Sequence, residues 1–162
     1  MKKLSYSRQD EPTDYEAEAI RFQARYGYTL PPEYLAYLQL NGTGSEPSPG
    51  HLKGECYIDD IFKFSAEDKD SNSMCSTIGK YEDLLAMDRI TKNVLPIASA
   101  QGGHVIFCLV LDGPLYGYVI TIDDDELILP ESYTEAAIDL NSDRINGKNF
   151  SDFIDQFEPD EE

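Results

Sequence analysis

The chain has 162 residues, 41% of them apolar, with 11 tyrosines and 7 phenylalanines, the make-up of one folded domain with its own core. Its 31 acids against 13 bases leave a formal charge of −18, which repels a nucleic-acid backbone and an anionic membrane surface and favours a basic protein as partner. No apolar stretch reaches the roughly 18 residues that cross a bilayer, and the N-terminus MKKLSYSRQDEP turns polar at once, unlike a signal peptide.

From the N-terminus, residues 1–11 are expected as a short flexible end. Thr13 to Tyr26 then predicts a helix, with Thr13 or Asp14 as cap and Asp14, Glu16 and Glu18 near its positive end. Tyr15, Ala19, Phe22 and Tyr26 fall on one face, and Gly27 stops the helix. In LPPEYLAYLQLNGTGSEP, Pro31 and Pro32 suit a helix start, Tyr34, Leu35 and Leu38 share a stripe, and Asn41-Gly42 ends it. GTGSEPSPG shows no periodicity and reads as a flexible loop. ECYIDDIFKF predicts one or two strands with a kink at Asp59-Asp60.

AEDKDSNSMCS reads as a polar loop, and a helical period then runs from Thr77 to Ile90, with Leu84 and Leu85 on the buried side. NVLPIAS is a short strand whose proline points to an edge or a strand end. Val105 to Leu111 is an unbroken apolar run, the pattern of a central strand covered on both faces. Gly113-Pro114 turns the chain into a returning strand, LYGYVITID, with Tyr116, Tyr118, Ile120 and Ile122 on one face and Val119 on the other. Asp123 to Glu126 forms an acidic turn and LILP a further short strand. Phe150, Phe153, Ile154 and Phe157 mark a C-terminal amphipathic helix capped by Ser151 or Asn149, ahead of a solvated acidic end, 158–162. The order predicts a single α+β domain over 1–162, a central, twisted, mostly antiparallel sheet flanked by helices.

Motifs that carry chemistry are scarce. The three cysteines, Cys56, Cys75 and Cys108, form no CxxC pair, which suits reduced thiols in a cytoplasmic protein, and Cys108 sits within the apolar run as an inert thiol. His51 is expected to be exposed in the Gly/Pro loop and His104 to pack at a strand end. No serine occupies a G-x-S-x-G elbow. NGTG lacks the lysine and following helix of a phosphate-binding loop. TIDDDEL lacks the glycine and distal glutamate of a calcium loop. Neither enzymatic activity, a metal nor a cofactor is expected.

Three segments in order carry a resemblance to a known family. LPPEYLAYLQLNGTG, VLPIASAQGGHVIFCLVL and GYVITIDDDE together resemble the SUKH superfamily, the Smi/Knr-like proteins. The turn ASAQGGH lacks the acidic residue common before that family's glycines, which leaves the subfamily open. The resemblance implies a non-catalytic α+β binding module. Its bacterial members commonly act as immunity proteins that neutralise a cognate secreted toxin, often a nuclease, and its fungal members regulate cell-wall synthesis through protein contacts. Together with the charge, this suggests an acidic surface that occludes the active site of a basic toxin. The candidate contacts are Asp59, Asp60, Asp123, Asp124, Asp125, Glu126 and Glu131, with Tyr116 and Tyr118 as aromatic anchors. The alternative is a scaffold or regulatory module with a non-toxin partner. The oligomeric state stays open between a monomer and a weak dimer.

Overall fold

A computed structural model describes residues 1–52, 56–66, 76–123 and 145–159, and every statement below concerns those residues. In chain order they form β1 (Ser5–Gln9), α1 (Tyr15–Tyr26), α2 (Pro32–Asn41), β2 (Gly44–Ser48), β3 (His51–Leu52) and β4 (Cys56–Ile61). There follow α3 (Thr77–Ala86), β5 (Val94–Ala100), a single 3-10 turn at Gln101–Gly103, β6 (Val105–Val110), β7 (Val119–Asp123), β8 (Ile145–Gly147), α4 (Phe150–Asp155) and β9 (Phe157–Glu158). The strands join in one antiparallel sheet of order β1-β2-β4-β5-β6-β7-β8, with β3 pairing to β4 and β9 off that path. The fold class is α+β, as expected.

Local chemistry accounts for the helices. The Asp14 carboxylate accepts the Ala17 N–H at 3.1 Å and starts α1, while Gly27 ends it at φ 83°, a conformation that disfavours a side chain. α2 opens with Pro32 in its first turn, buries Tyr34, Tyr37 and Leu38, and stops at Gly42, whose N–H reaches the Leu38 carbonyl at 2.8 Å. Leu35 of the predicted stripe is only half-buried. The third helix is shorter than expected: Met87 caps it, and Asp88 takes φ 54°. In α4, Asn149 is the cap, its side chain accepting the Asp152 N–H at 2.8 Å. Phe157 lies beyond this helix, in β9.

Aromatic rings weld the helices to the sheet. Phe150 of α4 meets Tyr34 and Tyr37 of α2 at centroid distances of 5.0 and 4.8 Å, and Phe153 meets Phe107 of β6 at 5.1 Å. Ile106 to Leu111 are all buried, as a strand covered on both faces requires.

Several expectations need correction. The N-terminal end is not a loose tail. Ser5–Gln9 pairs with β2, the Leu4 N–H donates to Asn41 Oδ1 at 2.7 Å, and Leu4 itself is buried. Nor is Gly44–Ser48 a flexible loop: it pairs with β1 on one side and β4 on the other. A Cβ on Gly44 would lie 2.6 Å from the Arg8 carbonyl oxygen, so this close strand approach needs glycine. Pro96 stands inside β5, between β4 and β6, with all seven residues buried, instead of at an edge. The β5–β6 register shifts between Pro96 and Ala98, and such an irregularity spares the ladder the N–H that proline lacks. The returning strand starts at Val119, so Tyr116 and Tyr118 belong to the β6–β7 connection, where Gly113 and Gly117 take φ 78° and 88°. His51 is half-buried in a strand and stacked on Tyr57. The predicted LILP strand and the polar loop at 67–75 lie outside the described residues.

Candidate partner-binding site

The sequence CYIDDI of β4 sends Cys56, Ile58 and Ile61 into the core and leaves Tyr57 54% exposed. The β4–β5 register shifts between Ile58 and Asp60, so Asp59 is the extra residue of a bulge, at the kink expected from the sequence. Both neighbouring aspartates are half-buried, and each is pinned. Asp59 Oδ2 accepts the Gly102 N–H at 2.7 Å, and Asp60 Oδ1 accepts the Ser45 hydroxyl at 2.7 Å. Gln101, Gly102 and Gly103 all take positive φ, which is why a glycine pair stands where the turn presents its N–H to Asp59.

Facing β4 is the segment between β2 and β3. The Ile58 N–H donates to the Gly50 carbonyl at 2.9 Å, and a Cβ on Gly50 would sit 2.1 Å from the Pro47 oxygen, so the chain folds tightly on itself here. Between the two runs opens a cleft of about 330 Å³ lined by Glu46, Pro47, Ser48, Pro49, Gly50, His51, Tyr57, Ile58 and Asp59. A second concavity, about 520 Å³, lies between residues 9–16 and 38–42 and also carries acids, among them Asp10, Asp14 and Glu16. Two of those carboxylates already serve the fold: Asp14 caps α1, and Asp10 accepts the Thr43 hydroxyl at 2.8 Å.

Strand register shows which candidate residues come together. Ile58 pairs with Ala100, Ala100 with Val105, and Val105 with Asp123. The backbone of Asp123 therefore ends β7 at the same end of the sheet as Asp59. Tyr118 lies five residues back along the chain, about 17 Å away if extended. It is half-buried against the core, and its carbonyl accepts the Val110 N–H at 2.9 Å. Tyr116 is exposed, with its hydroxyl donating to the Thr29 carbonyl at 2.8 Å. Asp59, Asp60 and Asp123 thus share one end of the sheet, and the two tyrosines occupy the other. Asp124, Asp125, Glu126 and Glu131 lie outside the described residues.

The residues that join Asp59 in the cleft, Glu46, His51 and Tyr57, were not among the sequence candidates. Period-two alternation in CYIDDI already turns Tyr57 away from Cys56 and Ile58, a signal the sequence offered. The positions of Glu46 and His51 depend on strand pairing within a Gly/Pro-rich stretch, which carries no such signal.

Burial is the main influence on the titrating groups that shift. It pushes the Cys108 thiol up, so that it stays protonated, and raises Tyr34 and Tyr37 above the ordinary tyrosine range. Among the described residues no three His, Cys, Asp or Glu side chains are grouped so as to hold a metal ion, and no helix is long and apolar enough to cross a membrane. The arrangement offers hydrogen-bond acceptors and negative charge on a pinned surface, suited to recognition.

Comparison with known proteins gives a family match: the model described as the SMI1 / KNR4 family (SUKH-1) covers residues 16–156. No curated protein matches the chain.

Proposed function

The chain belongs to the SMI1 / KNR4 family (SUKH-1), and from that membership we propose that it is an immunity protein, one that binds a cognate toxin in the cytoplasm and blocks it without chemistry of its own. The partner in this reading is basic, and a nuclease fits best, because a nuclease site built for phosphate is complementary to carboxylates. The observation that carries the reading is the charge of −18 on a chain of this family. The aspartates pinned at one end of the sheet support it further, since fixed carboxylates lose little entropy on meeting a cationic surface. Asp59, Asp60 and Asp123 are the proposed contacts on the described surface, with Asp124, Asp125, Glu126 and Glu131 as their proposed continuation. Tyr116 and Tyr118, at the far end of β7, would serve only a partner large enough to span the sheet.

The test is co-expression with the product of the gene adjacent to this one. A stable complex together with rescue of cells poisoned by that product is the expected result. Absence of both overturns the reading.

A further inference from the structure

The 330 Å³ cleft beside Asp59 is small, at the lower end of the roughly 300–1,000 Å³ of ligand clefts, and its lining is chemically one-sided. His51 and Tyr57 are direct partners across β3–β4, and their rings stack with centroids 4.6 Å apart and planes 24° apart. His51 Nδ1 is shut off from solvent and has no hydrogen-bond partner. Glu46 and Asp59 line the same cleft, and Glu158 pairs with His51 from β9, continuing the row Glu158–His51–Tyr57. One oxygen of Asp59 holds the Gly102 N–H, but a carboxylate has about four acceptor positions.

These groups select against most ligands. Two carboxylates repel anions, and a neutral group gains little from them. The match is a cation that only donates hydrogen bonds and can lie against an aromatic ring. A guanidinium has five N–H donors, no acceptor, a planar face for stacking and weaker hydration than an ammonium. We propose that this cleft seats an arginine side chain of the partner protein, against the His51–Tyr57 stack and between the carboxylates of Glu46 and Asp59. The proposal takes from the immunity reading only that the partner is a basic protein.

It is tested on the full chain, isotope-labelled for amide NMR, titrated with N-acetyl-arginine amide and in parallel with the lysine and citrulline amides. The expected result is saturable shifts confined to the amides of Glu46, Ser48, Gly50, His51, residues 57–59 and residues 101–103, stronger for arginine than for lysine and absent for uncharged citrulline. Tyr57→Leu, at an exposed position, should weaken binding about two- to fivefold. Glu46→Gln with Asp59→Asn should weaken it about tenfold or more. An unchanged spectrum elsewhere shows that each variant is folded. No shifts, shifts spread evenly over the acidic surface, or equal responses to lysine and arginine would each overturn the proposal. The titration contains no partner, so the two readings fail separately. A stable toxin complex with no arginine response removes the cradle alone, and an arginine response without any toxin complex removes the immunity role alone.

Discussion

Tyr37 is fully buried, and its hydroxyl shares a hydrogen bond with that of Tyr6, while Tyr34 is equally buried one helical turn earlier. Burial is the main reason each phenol ionises later than an ordinary tyrosine, and for Tyr37 the nearby Tyr6 adds to it. The sign follows from linkage. Below the ordinary tyrosine value near pH 10 both folded and unfolded chains hold these protons, so the stabilisation is fully present. Above it the unfolded chain releases protons that the folded chain retains, and stability falls with rising pH. The slope approaches about 1.4 kcal/mol per pH unit for each such tyrosine. Urea midpoints measured on either side of pH 10, with phenolate absorbance followed alongside, check this. The folded protein should show fewer ionised tyrosines than the urea-unfolded chain at the same pH. Full ionisation before any unfolding would mean that Tyr34 and Tyr37 are accessible.

At the scale of elements, the parts legible in the sequence are those whose side chains do the folding. Asp14, Gly27, Pro32 and Gly42 punctuate α1 and α2, and the apolar run of β6 needs no context to be read as a central strand. What escaped is held by backbone pairing or tertiary surroundings. Strand β1 is polar and almost wholly exposed, and β2 buries only Gly44 and Pro47, three residues apart, so no alternation betrays either strand. Pro96 argues against a central strand until the bulge beside it is known. The site divides the same way: Asp59 and its kink could be read, whereas Glu46 and His51 had to be brought there by β2 and β3. A consequence distinguishes a strand from a tail at the N-terminus. Deleting residues 1–9 should cost at least about 2 kcal/mol, the burial of Leu4 alone, and would also leave the Asn41 side chain without the Leu4 N–H and Lys2 carbonyl that it bonds. Denaturant unfolding measures this. An unchanged midpoint would show that β1 contributes nothing.

For the whole molecule, the distribution of charge matters as much as its total. The C-terminal half, residues 82–162, holds 18 acids and 4 bases against 13 and 9 in the first half. Such a field speeds encounter with a basic partner at low salt, and it is screened beyond about 10 Å at 0.1 M. It cannot by itself fix which surface docks, so the assignment rests on the pinned acids at one end of the sheet. The most direct measurement is rescue of toxin-expressing cells by Glu46→Lys/Asp59→Lys, compared with Glu11→Lys/Asp83→Lys. The second variant makes the same change in net charge at exposed positions outside the cleft lining. With both variants shown to be folded, the account predicts that the first loses rescue and the second keeps it. Full rescue by the cleft variant would contradict the claim that this end of the sheet meets the toxin.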